Sequence, residues 1–164
     1  MNAASIQTAA VLGAGTMGHG IAQVLAMAGI TTRLYDIAED VVQAGIAKVG
    51  ANLDKGVDRG KVQPEDAAAA RARLSGGTDL DAAIASVDLV VEAVPERMDL
   101  KKDLFAKLGE ALGPEVLLAT NTSSLPITEI AAAARHPERV TGMHFFNPVH
   151  IMKLVEVVRT GQSS

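Results

Sequence analysis

The stretch VLGAGTMG, residues 11 to 18, restricts the fold more than any other part of this sequence. It sets glycines at 13, 15 and 18 directly after an apolar run at 9–12 and directly before a segment with helical spacing through Met17, Ile21, Val24, Leu25 and Ala28. Gly29 ends that segment, and residues 31–35, β-branched and aromatic, close on Asp36. Strand, glycine-rich turn, helix and strand in that order make a βαβ unit.

The G-x-G-x-x-G spacing has a physical reading at each position. Gly13 permits the tight turn, Gly15 lets the backbone approach a pyrophosphate, and Gly18 allows the helix to pack closely on the strand. The free N–H groups at the helix start, around Thr16 and Met17, bind an anion. Asp36, at the end of the next strand, can accept both ribose hydroxyls of an adenosine and repels a 2′-phosphate, so the expected cofactor is NAD rather than NADP. The same residues can also serve as a helix-packing turn with Asp36 as a loop cap; strand, helix and acid in register favour the dinucleotide. Strand alternation directs Arg33 away from the Asp36 end.

Further along, residues 37–74 are polar and helical, with breaks expected near Gly56, Gly60 and Pro64, which describes a long helical hairpin projecting from the sheet. A turn is expected at 75–78, strands at 88–94, 116–120, 139–144 and 152–158, and helices at 100–112 and 127–134. The alternation predicts an α/β fold: a Rossmann-like, doubly wound and mostly parallel sheet, one NAD-binding domain across 1–164 with its helical excursion at about 38–74.

Composition removes several functions. Without cysteine there are no disulfides and no thiolate metal sites, and no metal is expected. A formal net charge of -4 with only three Phe, one Tyr and no Trp argues against a nucleic-acid partner. No apolar run approaches the roughly 20 residues of a membrane span, and the N-terminus lacks a basic or long apolar segment, so neither a membrane partner nor a secretory signal is expected and the chain is read as cytoplasmic.

The second informative stretch is TGMHFFNPVHIMKLVEVV, residues 141 to 158. In KLVEVV both faces are largely apolar, which reads as an interior strand carrying a buried acid, Glu156, that needs a partner. His144 ends the preceding strand, and FFNPVHI is long enough to fold back and bring the two together. A carboxylate there would hold one imidazole nitrogen as N–H and leave the other as a base. His19, His136 and His150 have no evident partner and are read as core, surface or cap residues.

Four segments, AAVLGAGTMGHGIAQVLAMAG, DLVVEAVPE, ATNTSSLPITEIA and GMHFFNPVHIMKLVEVV, together resemble the L-3-hydroxyacyl-CoA dehydrogenase family in content and order. The resemblance implies NAD as cofactor and a 3-hydroxyacyl-CoA and 3-oxoacyl-CoA, of short chain, as substrate and product. It assigns His144 as catalytic base, Glu156 as its orienting partner, and Ser123 to the reacting 3-oxygen beside the nicotinamide. Ala93 (through its backbone), Glu96, Lys101 and Asn147 are placed on the cofactor. The helical excursion is placed on coenzyme A, with Lys55 and Arg59 in reach of its phosphates, although the mixed charge of LDKGVDRGK reads more readily as a solvated face. Family members continue into a helical domain that supplies a further catalytic asparagine, part of the acyl pocket and the homodimer interface; this chain is expected to be the cofactor-binding half, with little turnover by itself. Two alternatives fit part of the pattern: a dehydrogenase of a free hydroxy acid or sugar acid, and a non-catalytic NAD-binding or structural relative.

Overall fold

The computed structural model describes residues 5–163; the reading of residues 1–4 as free of a targeting signal lies outside them. Among the described residues there are seven strands, β1 (Thr8–Leu12), β2 (Thr31–Tyr35), β3 (Leu74–Gly77), β4 (Leu89–Glu92), β5 (Leu117–Thr120), β6 (Val140–Phe145) and β7 (Val155–Arg159). The helices are α1 (Gly18–Met27), α2 (Glu39–Asp58), α3 (Pro64–Arg73), α4 (Leu80–Ile84), α5 (Met98–Ala111) and α6 (Ile127–Ala131). The strands form one sheet in the order β3-β2-β1-β4-β5-β6-β7. All neighbours pair in parallel except β6 and β7, which are antiparallel.

Strand alternation divides the core into two layers. Ala9 and Val11 of β1, Leu89 and Val91 of β4 and Ala119 of β5 cluster with Ile21, Ala22 and Leu25 of α1. Their neighbours in sequence, Ala10, Leu12, Val90 and Leu118, point the other way and cluster with Ile84, Phe105, Leu108 and Ile130 from α4, α5 and α6. Because both faces are covered, the central strands are continuously apolar, and each large side chain fully buried there contributes about 1.5–3 kcal/mol.

Several expectations are corrected. The supposed turn at 75–78 is the edge strand β3, paired with β2 from Thr32↔Leu74 to Tyr35↔Gly77. LSGG has little strand propensity of its own; pairing and packing impose the conformation, since a side chain on Gly76 would press on Val42 Cγ1 at 2.5 Å. The helix α4 follows, its start capped by Asp79, whose carboxylate accepts the Ala82 N–H at 3.1 Å. No break occurs at Gly56, and α2 runs through it to Asp58. The helical pair also does not project: Val49 and Leu53 of α2 and Ala67 and Ala70 of α3 bury themselves with Ala26 of α1.

The largest correction concerns β7. All five of its residues are exposed, because it lies at the sheet edge with β6 as its one neighbour. Glu156 is therefore not a buried acid: 57% of its side chain is exposed. Among the described residues no helix is long and apolar enough to cross a membrane.

Candidate active site

Strand order reverses on either side of β1, so the loops after β1 and β4 diverge at the carboxyl ends of the strands and open a crevice there. Gly13 turns the chain out of β1 with φ +102°, a conformation that favours glycine, and a Cβ at this position would stand 2.5 Å from the Ala93 carbonyl oxygen. A Cβ on Gly18 would overlap the Gly13 carbonyl, so α1 sits directly on the turn. Gly15 instead faces open space, where a ligand can meet its backbone. Asp36 closes the loop from β2: its carboxylate accepts the Ala14 N–H at 2.9 Å and the Ala38 N–H at 3.4 Å.

Gly13, Gly15, Thr16, Met17, Asp36 and Ala93 line a cleft of about 480 Å³ with Tyr35, Ile37 and Val94 among their neighbours. Arg33 is engaged elsewhere. Its guanidinium donates to the carbonyls of Ala82 and Ala83, both at 3.3 Å, and of Ala85 at 2.5 Å, so it closes the end of α4 and is not available to a 2′-phosphate.

A second cleft of about 390 Å³ adjoins the first through Met17, Ala93 and Val94, and is otherwise lined by Glu96, Asn121, Ser123, His144, Phe145, Phe146 and Asn147. The two make one trough running from Asp36 to His144. His144 and Glu156 are direct partners in the β6–β7 ladder, and Nδ1 of the imidazole lies 3.1 Å from a Glu156 carboxylate oxygen. With the carboxylate accepting, Nδ1 carries the proton and Nε2 is the free nitrogen of the neutral ring. The Phe146 ring lies 4.5 Å from the imidazole, tilted by 51°. Ser123 is exposed at the cleft, its N–H donating to Glu96 at 3.2 Å, and Asn147 follows β6 ahead of the cis bond to Pro148.

Beneath this trough lies the acid that is truly buried. Glu92, fully enclosed at the end of β4, accepts the Thr120 hydroxyl at 2.6 Å, the Val94 N–H at 2.7 Å and the Lys101 ammonium at 2.7 Å. Lys101 is itself 1% exposed and bridges on to Glu96 at 3.2 Å. Glu96 then reaches outward, accepting the hydroxyl of Thr122 and the N–H groups of Ser123 and Ser124, the last at 3.4 Å. Partial burial pushes the Glu96 carboxyl up, but the Thr122 hydroxyl, the Lys101 charge and hydrogen bond and the Ser123 N–H outweigh it and hold the group below the usual carboxylate range. Lys101, expected on the cofactor, lies here under the surface with Glu92 and Glu96 as its partners.

A model of the 3-hydroxyacyl-CoA dehydrogenase NAD-binding domain matches residues 8–164. The chain belongs to this family. It is 50% identical over 154 residues to the 3-hydroxyadipyl-CoA dehydrogenase of Escherichia coli, an alignment covering 94% of this chain and 32% of that protein. With a probable 3-hydroxybutyryl-CoA dehydrogenase of Bacillus subtilis it shares 44% identity over 91% of this chain and 52% of the relative. The crystal structure of an (S)-3-hydroxybutyryl-CoA dehydrogenase from Ralstonia eutropha superposes with a TM-score of 0.93 at 42% identity, covering 98% of this chain and 56% of that one. The chain therefore spans between about a third and about half of the length of these relatives.

As an NAD-binding domain of this family, the chain has a trough that fits the cofactor: open backbone at Gly15, a carboxylate at the end of β2, and the nearby Arg33 engaged at the end of α4. Lys55 lies exposed on α2 and Arg59 caps its end, and neither lines the trough. Burial foremost, then the charges of His19 and Lys55, depress the His150 imidazole. Sequence reasoning missed Glu92, Thr122 and Asn121. The one available signal for Glu92 was an acid in the apolar run LVVEAV, the same kind of signal that was assigned to Glu156.

Proposed function

We propose that this chain is the cofactor-binding part of an NAD-dependent dehydrogenase that interconverts a short-chain L-3-hydroxyacyl-CoA and the corresponding 3-oxoacyl-CoA. The observation that carries this reading is the pairing of His144 with Glu156 at 3.1 Å at the end of a trough that also holds Ser123 and leads back to the glycine turn. The names of the relatives support a short acyl chain on coenzyme A.

NAD, when bound, supplies the hydride acceptor. The glycine turn with Thr16 and Met17 holds the diphosphate, Asp36 the adenosine ribose, and Ala93, Glu96 and Asn147 the nicotinamide side. His144 takes the proton of the 3-hydroxyl on its free nitrogen, and Glu156 keeps the opposite nitrogen as donor and favours the imidazolium as it forms. With 57% of its side chain exposed, Glu156 is screened by water in this chain, so its contribution here is mainly orientation. The Ser123 hydroxyl donates to the 3-oxygen. Lys55 and Arg59, on the outer side of α2, are the cations placed to meet coenzyme A phosphates.

Fluorescence titration tests the cofactor half directly: the chain should bind NADH and discriminate at least tenfold against NADPH, and absence of NADH binding would remove the reading. Acetoacetyl-CoA, but not acetoacetate, should alter NADH fluorescence in the complex; the reverse result points to a free hydroxy acid as substrate. Steady-state turnover of acetoacetyl-CoA by this chain alone should be weak, because it spans only about a third to about half of the length of its relatives, and transition-state contacts made outside that span would not form. Rates equal to those of a full-length relative would refute that expectation.

A further inference from the structure

We propose that the Glu92–Lys101–Glu96 triad is a fixed negative charge at the nicotinamide end of the trough that biases the site toward the oxidised cofactor, NAD⁺ over NADH, a role that rests on the NAD reading above. One ammonium lies between two carboxylates, 2.7 Å from Glu92 and 3.2 Å from Glu96, so the group as a whole carries one net negative charge. Glu92 and Lys101 are sealed in the core, and Glu96 is the member that opens on the cleft. The surplus charge is therefore presented at the Glu96 carboxylate.

That carboxylate is held in place and keeps its charge. It accepts the Thr122 hydroxyl and the N–H groups of Ser123 and Ser124, which fixes it against the loop that carries Ser123. The neighbouring cations are engaged elsewhere: Arg97 pairs with Asp99 on the exposed surface, and Lys102 with Glu129 at 3.0 Å. Among the described residues the trough is lined by Asp36 and Glu96 but by no lysine or arginine. Asp36 stands at the opposite end, His144 as a base is uncharged, and Glu156 behind it stands in solvent, where water screens it.

The bias follows from where the charge of the cofactor changes. NAD⁺ and NADH differ by one positive charge, and that charge sits on the nicotinamide ring. Asp36 and the glycine turn meet parts that are identical in the two forms, whereas Glu96 shares its cleft with Ser123 and His144, which mark the reacting ring. A partly buried carboxylate there is screened less than a surface charge and acts on that one difference. In the reductive direction it also eases hydride departure, because the ring becomes positive as hydride passes to the 3-carbon and the His144 imidazolium gives its proton to the 3-oxygen.

Calorimetric titrations with NAD⁺, NADH and ADP-ribose, which lacks the nicotinamide ring, separate this charge from an ordinary contact. Glu96→Gln removes the charge and keeps an oxygen for Thr122 and Ser123; it should weaken NAD⁺ about tenfold while NADH and ADP-ribose change by less than about twofold. Glu96→Asp keeps the charge and should keep the parent ratio of NAD⁺ to NADH affinity. Glu110→Gln removes an equal charge from an exposed position near the end of α5, outside the trough, and should leave that ratio alone. Glu92→Gln takes the charge from the sealed end, should move the ratio in the same direction as Glu96→Gln, and replaces that variant if it does not fold. An unchanged ratio in Glu96→Gln, a ratio lost equally in Glu96→Asp, or an equal shift in Glu110→Gln each overturns the proposal. A parent chain that binds ADP-ribose but neither NAD⁺ nor NADH removes the NAD reading itself and this role with it, whereas parent binding of both with a ratio indifferent to Glu96→Gln removes only the role of the triad.

Discussion

The Lys101 ammonium connects the core to the site. It lies between Glu92, which is 0% exposed, and Glu96, which is 38% exposed, and these two acids hold it in place while it holds them. Lys101→Met would leave Glu92 with a hydroxyl and an N–H but no counter-charge, and the expected loss is about 3–5 kcal/mol in urea unfolding. Removing both charges, as Glu92→Gln with Lys101→Met, should recover most of that loss, because two well-packed neutral groups avoid the desolvation cost. Glu96 offers a test by pH. Its folded pKa lies below the ordinary 4.5, so its stabilisation is present above that value and is lost as pH falls through the lower, folded one. The melting-temperature gap between the parent chain and Glu96→Gln should be full at pH 7 and close on acidification toward pH 3. A gap independent of pH would mean that the carboxylate charge is not what ties down the Ser123 loop.

Among the elements, the glycine turn and the edge strand β7 behave oppositely. The turn is over-determined: Gly13 meets Ala93, Gly18 meets Gly13, and Asp36 holds the Ala14 N–H. Gly18→Val would push α1 off the β1 turn, with an expected cost of about 1–3 kcal/mol and loss of NADH binding, read by thermal melting and titration. In contrast β7 has a free edge, and it adds to a run of exposed apolar side chains at Ile151, Met152, Leu154, Val155, Val157 and Val158. A long apolar edge is a template for pairing with another chain. This chain by itself should self-associate with rising concentration in sedimentation equilibrium, and Val157→Lys, at the most exposed of the three β7 valines, should shift it toward monomer. Association unaffected by that charge would place the contact elsewhere.

At the scale of the whole molecule, the cofactor trough is built from the loops after β1, β2, β4, β5 and β6, all within this chain, whereas His144 and Glu156 sit at the side where the sheet ends. Binding of NADH and turnover are therefore expected to come apart in this chain, as the titrations and rates above would show. The sequence alone determined the parts whose cause is short in range: the glycine turn, the acid that follows it, the alternation of strands and helices, and the facing of His144 and Glu156 across one hairpin-like return. It also made Asp36 legible, because strand, turn and helix place that carboxylate without help from distant residues. Only the tertiary structure decided which acid is buried. LVVEAV and KLVEVV are nearly the same text, yet Glu92 is sealed between β1 and β5 while Glu156 stands in solvent on the outermost strand. Burial of a strand residue is set by the strands beside it and the helices above it, and those neighbours come from parts of the chain that no local pattern contains.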